Sequence, residues 1–349
     1  MQPEATQQMD DVAESFSEIL ASRRSTILNV TEIGDTKLNF ARSVATGLAR
    51  IPRRLECRFL YDARGSELYE QICDQPEYYP TRTEASILQR YAAEIRGLTG
   101  PATLVELGSG SSSKTDYLLG AYEDPNGRER YIPVDVSRSA LELAAGTIAR
   151  GRPGVQVVGV NGVYEDALPL LPLLSPAVLI FLGSTIGNLD EDEAARFWEL
   201  VGSCLGERDY MLLGIDLVKD RTTLEAAYDD AAGVTRAFTR NYFERMNREL
   251  GADLDLDGIE HQAVYNGEAD QIEIYARFKR RQVVEVRPLG ARFKIAAGEK
   301  VLVEISRKFR VAEVRRYLAE LGLGVVRVFT DDRDWFALLL LRKVGHGAS

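Results

Sequence analysis

The 349-residue chain predicts an α/β fold, a mostly parallel sheet covered by helices on both faces, with a second, smaller α+β part attached. Three observations predict it. Short apolar runs alternate with helical spacings from about residue 84 to 218, the pattern of parallel strands joined by crossover helices. One of those runs ends in a glycine-rich turn, Gly108-Ser109-Gly110, where a ligand can approach the backbone closely. From Lys219 to about Glu304 the rhythm changes to two helical segments followed by strands, as in a separate insertion.

Each element carries its own signal. Residues 1–20 are polar and acidic and read as a mobile tail. Phe40, Val44 and Leu48 recur every four residues, so 36–50 reads as a helix. Phe59-Leu60-Tyr61-Asp62 leads into a helix with Leu68, Ile72 and Tyr69. The two prolines and adjacent tyrosines of Pro76-Glu77-Tyr78-Tyr79-Pro80-Thr81-Arg82 predict an extended, rigid connection. Helix is expected over Glu84–Leu98, around Tyr117, over Ser139–Arg150 and over Asp192–Leu205. Strands are expected at Thr103–Leu107, Tyr131–Val134, Val155–Val160, Val178–Leu182 and Tyr210–Ile215. In the insertion, helices at Thr222–Ala232 and Thr235–Leu250 precede strands Gln271–Phe278 and Gln282–Val286. The chain then returns to the first pattern with helix Val311–Leu321 and strands Val325–Phe329 and Trp335–Leu341. The last two form a hairpin turned at Asp331-Asp332-Arg333-Asp334. The domain reading is therefore a flexible tail (1–20), a second, smaller part (21–82 and 219–305) and a main sheet part (83–218 and 306–349).

Composition narrows the function classes. Hydrophobic residues at 45% and charged residues at 28% are ordinary for a soluble globular protein. Acids outnumber bases 53 to 43, a net charge of -10, which argues against a phosphate-tracking surface. Lys279-Arg280-Arg281 is a local basic cluster best read as a solvated strand end or turn. Three cysteines (Cys57, Cys73, Cys204) without a CxxC pair suit reduced thiols in the cytoplasm. With only His261 and His346 as histidines, a zinc site would lack ligands. Pro169, Pro172 and Pro176 interrupt the most apolar stretch, Ala167–Gly183, so no membrane span is expected. The expected form is a cytoplasmic monomer acting on a small molecule, with no nucleic-acid or membrane partner.

The strongest local motif is Val105-Glu106-Leu107-Gly108-Ser109-Gly110-Ser111-Ser112-Ser113-Lys114-Thr115. A dinucleotide fingerprint has a third glycine where Ser113 stands, to let helix and strand pack closely. The form Glu-x-Gly-x-Gly more closely resembles the first motif of Rossmann-like methyltransferases. Asp135, ending the second strand, suits a ribose diol, since a carboxylate can accept from both hydroxyls. Taken alone, these residues fit an adenosyl cofactor and a plain tight turn with a helix-capping acid equally well. The seven-strand layout, with its added edge hairpin, tips the reading toward a Rossmann-like seven-stranded methyltransferase domain.

Longer segments carry a more specific resemblance. They are Phe59-Leu60-Tyr61-Asp62-Ala63-Arg64-Gly65-Ser66, Pro76 to Glu84, Phe181-Leu182-Gly183-Ser184-Thr185-Ile186-Gly187-Asn188 and Leu213 to Asp220. Ala227 to Thr235, Asn247 to Asp253 and Glu304-Ile305-Ser306 complete the set. Together they resemble the ergothioneine-pathway L-histidine Nα-methyltransferases over residues 55–310. The resemblance implies S-adenosylmethionine as cofactor and free histidine as substrate. It implies that Gly108, Gly110, Lys114 and Asp135 hold the methionine moiety and ribose, with Val163 and Tyr164 at the adenine. It implies that Asn188 and Tyr228 bind the substrate α-carboxylate and that Tyr78, Glu304 and Ser306 line the imidazole pocket. Tyr61 would stand near the transferring methyl.

The residue types suit these roles. An amide NH₂ and a phenol OH both donate to an ionised carboxylate. Glu304 and Ser306, two apart on a strand, point to one face. Two positions depart from the family. Val163 stands where the family carries an acid for the adenine amino group, leaving Asp166 or a backbone carbonyl to substitute. Ile274 stands where Met is usual, which reshapes the substrate pocket. Competing readings are an Nα-methyltransferase of another amino acid such as tryptophan, a non-catalytic adenosyl-ligand-binding protein, and an NAD-dependent oxidoreductase. Glu304 favours histidine over tryptophan, because an indole offers one donor and an unmatched buried carboxylate is costly.

Overall fold

The structure is a computed structural model describing residues 3–30, 36–110, 112, 114–123 and 129–344. Ser111, Ser113 and the polar tail with His346 lie outside the described residues. Among the described residues thirteen strands run in chain order: β1 (Thr26–Asn29), β2 (Thr103–Leu107), β3 (Arg130–Asp135), β4 (Gln156–Asn161), β5 (Ala177–Phe181), β6 (Tyr210–Asp216) and β7 (Ile259–Asn266). They continue as β8 (Gln271–Phe278), β9 (Gln282–Val286), β10 (Ala291–Ile295), β11 (Lys300–Arg307), β12 (Leu323–Thr330) and β13 (Phe336–Lys343). The helices are α1 (Pro3–Ser22), α2 (Thr36–Ala49), α3 (Ala63–Cys73), α4 (Tyr79–Thr99), α5 (Asp116–Ala121) and α6 (Arg138–Gly151). They end with α7 (Tyr164–Ala167), α8 (Glu191–Cys204), α9 (Arg221–Tyr228), α10 (Val234–Arg245) and α11 (Val311–Glu320).

The main sheet has the order β1-β4-β3-β2-β5-β6-β13-β12. Its strands are parallel except β13, which runs antiparallel to both β6 and β12. Successive residues of each central strand serve opposite faces. Leu104, Val178 and Leu212 pack with Ile87, Leu88 and Ile95 of α4, while Val105, Leu179 and Leu213 pack with Phe197 and Trp198 of α8. Burial on both faces explains why these strands read as continuous apolar runs.

A second core joins α2, α3, the start of α4, α9, α10 and the small strands, with Phe40, Leu68, Tyr228, Phe243, Ile274 and Val303 among its buried residues. Here β7, β8 and β11 form a three-stranded antiparallel sheet, and β9 pairs with β10. The segment between β1 and β2 and the segment between β6 and β12 thus meet in one apolar centre.

Three expectations are corrected. Residues 3–22 form α1 rather than a mobile tail, and Phe16 and Leu20 bury against the main sheet. Gln156 fixes the end of this segment by donating to the carbonyls of Ile19 and Arg24. The main sheet has eight strands rather than seven, because β1 adds to β4 in parallel. Residues 79–82 are helical, because Pro80 falls in the first turn of α4, where its missing N–H has no partner to lose. The basic cluster lies at the β8–β9 turn, as expected, with Lys279 N–H donating to the carbonyl of Gly258.

Candidate active site

The glycine turn after β2 holds Gly108 at φ 66° and Gly110 at φ 49°, a left-handed backbone that favours glycine. A Cβ at Gly108 would stand 3.0 Å from the Tyr164 hydroxyl, so the turn and the start of α7 are close neighbours. Asp135 ends β3 beside them. Its carboxylate accepts from the N–H of Gly110 at 3.0 Å and of Ser137 at 2.8 Å. Those bonds leave acceptor capacity for a diol, since an ionised carboxylate has about four lone-pair sites. Burial nonetheless pushes the Asp135 carboxyl up. Val163 precedes α7 next to Tyr164, whose ring packs edge-on against Phe181 and Phe197.

Beneath the turn lies the buried acid of the Glu-x-Gly-x-Gly motif. Glu106 accepts from Thr115 Oγ1 at 2.7 Å and from the Tyr131 phenol, and burial pushes its carboxyl up to about 7. Glu84 of α4, fully buried, is a second. It pairs with Lys114 and accepts from the Gly183 N–H at 2.9 Å. Glu84 therefore ties the cofactor-side Lys114 to the loop after β5.

That loop also borders a cleft whose empty space, open solvent included, is about 490 Å3. All seven residues expected around the substrate and methyl line it: Tyr61, Tyr78, Asn188, Tyr228, Ile274, Glu304 and Ser306. Asn188 comes from the short turn Thr185–Asn188 after β5, Tyr228 ends α9, and Tyr78 caps α4. Ile274 and Glu304 are cross-strand partners on β8 and β11, and Ile272 faces Ser306. A bulge between Leu302 and Glu304 resets the β11 register. Val303 absorbs the extra residue and packs into the apolar core, while Glu304 and Ser306 face the cleft.

Polar contacts within the cleft are specific. Asn188 Nδ2 donates to Glu304 Oε1 at 3.2 Å. The hydroxyls of Tyr228 and Ser306 share a hydrogen bond of 2.8 Å. Burial pushes Glu304 up to about 7, with Lys308 pulling against it. Burial and the Glu304 charge hold the Tyr61 phenol well above its ordinary value, so it stays protonated. The Tyr61 ring packs edge-on against Tyr69 and Phe238, centroids 5.6 and 5.4 Å away.

Other residues were missed. Lys308 is fully buried behind Tyr228 and Ser306, and the alternation Glu304, Ser306, Lys308 was the signal that could have found it. Asp216, at the end of β6, bonds Tyr79, Lys219 and Lys308. His261 has a structural part: its ring nitrogens bond Thr239 Oγ1 and the Tyr228 carbonyl, each at 2.9 Å. Among the described residues no cluster of His, Cys, Asp or Glu is placed to hold a metal, and no helix is long and apolar enough to cross a membrane.

The antiparallel β13 between β6 and β12, on a sheet whose glycine turn faces Asp135, places the protein among the Rossmann-like methyltransferases. A family model described as histidine-specific, S-adenosylmethionine-dependent methyltransferase matches residues 40–343, and the chain belongs to that family. It is 46% identical over 299 residues to histidine N-alpha-methyltransferase of Mycolicibacterium smegmatis, covering 86% of this chain and 93% of that one. Identity to the protein of that name from Mycobacterium tuberculosis is 42% over 306 residues, 88% and 95% of the two chains. An L-tryptophan methyltransferase of Psilocybe serbica is 28% identical over 333 residues, 86% and 92% of the two.

Proposed function

We propose that the protein methylates the α-amino group of free L-histidine, carrying it to the trimethylated betaine, as a cytoplasmic monomer. The observation that carries the reading is one cleft that unites Asn188, Tyr228, Glu304 and Ser306 beside Gly183, the residue tied through Glu84 to Lys114. Residues 83–218 and 306–349 form the cofactor-binding part in this reading, and 21–82 with 219–305 the substrate-binding part.

The crevice at the strand ends fits S-adenosylmethionine: a left-handed glycine turn gives backbone access and Asp135 offers acceptors. When bound, that group supplies an electrophilic methyl on a sulfonium. Gly108, Gly110 and Lys114 would hold its methionine end, Asp135 its ribose, and the Val163–Tyr164 backbone its adenine. Lys114 has three ammonium donors, and pairing with Glu84 uses one of them.

Asn188 and Tyr228 would donate to the substrate carboxylate, and Glu304, Ser306 and Tyr78 would surround the imidazole. The amine attacks in line, its nitrogen forming the bond to carbon as the bond to sulfur breaks. It must arrive neutral, because an ammonium has no lone pair. The chain's contribution is then orientation and water exclusion, to which the neutral Tyr61 adds a wall near the reacting atoms. Mass spectrometry of a mixed amino-acid pool incubated with S-adenosylmethionine and the protein tests this. Mass shifts of one to three methyls on histidine are expected, and methylation of another amino acid alone overturns the substrate. Tryptophan is the second reading, favoured by Ile274 in place of Met on the cleft wall.

A further inference from the structure

The polar groups behind the cleft extend the proposed carboxylate clamp by one layer, and the role inferred for them rests on that clamp. Lys308 is fully buried. Its ammonium donates to the Tyr228 hydroxyl at 2.8 Å, to Ser306 Oγ at 2.8 Å and to Asp216 Oδ2 at 2.9 Å. Those three partners use all of its donors, and an ammonium has no acceptor. Neither hydroxyl can therefore send its proton backward. The Tyr228 and Ser306 oxygens lie 2.8 Å apart, so one proton can serve the bond between them. The other has only the cleft to point into.

The geometry points to Lys308 as a positioning residue that makes the hydroxyl pair one-way, with Ser306 donating to the phenol oxygen and Tyr228 donating to the substrate carboxylate. It touches no substrate atom. It fills the rear lone pairs of both oxygens and sets a positive charge behind the phenol, which strengthens the phenol as a donor. Asp216 holds the ammonium in place and is itself held by Lys219 at 2.6 Å and Tyr79 at 2.7 Å. Asp216 thus keeps a cationic partner when Lys308 is replaced, and Lys308→Met leaves no unpaired buried acid.

The experiment compares kcat/KM for histidine and histidinamide at saturating S-adenosylmethionine, with S-adenosylhomocysteine binding measured by calorimetry. The parent should prefer the carboxylate substrate. Lys308→Met should erode that preference about tenfold, mainly through the KM for histidine, as expected for loss of a charge-assisted contribution. In a Tyr228→Phe background the same change should alter the preference less than about twofold, because coupled residues are not additive. Lys308→Arg keeps a donor-only cation and should retain most of the preference. Lys308→Gln brings a rear acceptor and should lose it, and this pair decides the matter if the methionine variant fails to fold. Equal losses on both substrates with intact S-adenosylhomocysteine binding, or full additivity with Tyr228→Phe, would overturn the role of Lys308. A parent indifferent to the carboxylate would instead overturn the clamp itself.

Discussion

In the crevice at the carboxyl ends of the strands, the atoms offered to a ligand are largely backbone, with one carboxylate beside them. In the cleft over β8 and β11 they are side-chain tips, four of them already bonded in pairs. Gly108 and Gly110 shape the first through backbone conformation. The second depends on Asn188 meeting Glu304 and Tyr228 meeting Ser306 across 116 and 78 residues of chain. A backbone cradle tolerates change at most positions and asks for a few glycines. A side-chain network in a low-dielectric setting fails when one member is removed, because the partner left behind is buried and unpaired.

The largest effect should therefore fall in the cleft. Glu304→Ala removes the acceptor proposed for an imidazole N–H and strips Asn188 of its partner. We expect a loss of about 2–3 kcal/mol in transition-state binding, roughly 30- to 150-fold in kcat/KM for histidine. Activity on tryptophan should fall less or rise, since the change opens volume beside Ile274. A variant with undiminished histidine turnover removes Glu304 from substrate recognition. On the crevice side, Asp135→Ala deletes bonds to a ribose. Cofactor binding should weaken by about 1.5–3 kcal/mol, measured by calorimetry, while the KM for histidine stays near the parent value. If the histidine KM shifts as far as the cofactor Kd, the two regions are not separable as drawn.

The same contrast explains what could be read from sequence. The crevice announced itself locally: a strand, a glycine turn and an acid ending the next strand lie within 31 residues of each other, Val105 to Asp135. The apolar runs gave the central strands to within a residue or two, since burial on both faces leaves little room for polar residues. The cleft had no such local signature, and only resemblance to a family pointed to Asn188, Tyr228 and Glu304. Lys308 went unread because a lysine after a strand is ordinarily solvated, and its burial needs Asp216 from a different strand. The amphipathic α1 was hidden by its acidic surface, with Phe16 the anchor among polar neighbours. Pro80 was read as a breaker when it starts a helix.

A smaller, pH-dependent effect separates the buried acid of the cleft from exposed carboxylates. Glu304 is raised by burial from the ordinary 4.5 to about 7. A carboxyl raised in the folded state stabilises the fold fully below its unfolded value, and that contribution is lost as pH climbs through the folded one. The ligand-free parent should thus lose stability relative to Glu304→Gln between about pH 4.5 and 7. The relative loss is on the order of 1–3 kcal/mol, read from urea midpoints at several pH values. Glu106, also at about 7, titrates in the same window in both proteins and cancels in the difference. A constant gap between parent and variant across that range would mean that Glu304 is ionised throughout, held so by Asn188 and Lys308.

The smallest effect should come from restoring an acid to the crevice. Val163 stands just before α7 with a side chain that can accept nothing, where the family carries an acid toward the adenine amino group. Val163→Asp should supply that acceptor, tightening S-adenosylhomocysteine by about 0.5–1.5 kcal/mol, the worth of one hydrogen bond. An aspartate at this position can also cap α7, whose first turn has no side-chain cap, and capping alone raises stability by about 0.5–2 kcal/mol. The two outcomes part on a ligand whose adenine is replaced by hypoxanthine, which keeps the ring and loses the exocyclic amine. A gain for S-adenosylhomocysteine that vanishes with the hypoxanthine analogue assigns the contact to the amine. Equal affinity for both, with a higher Tm, means that the aspartate caps the helix. In that case adenine recognition at this edge belongs to the backbone of Val163 and Tyr164, and the crevice is a backbone cradle there as it is at its glycine turn.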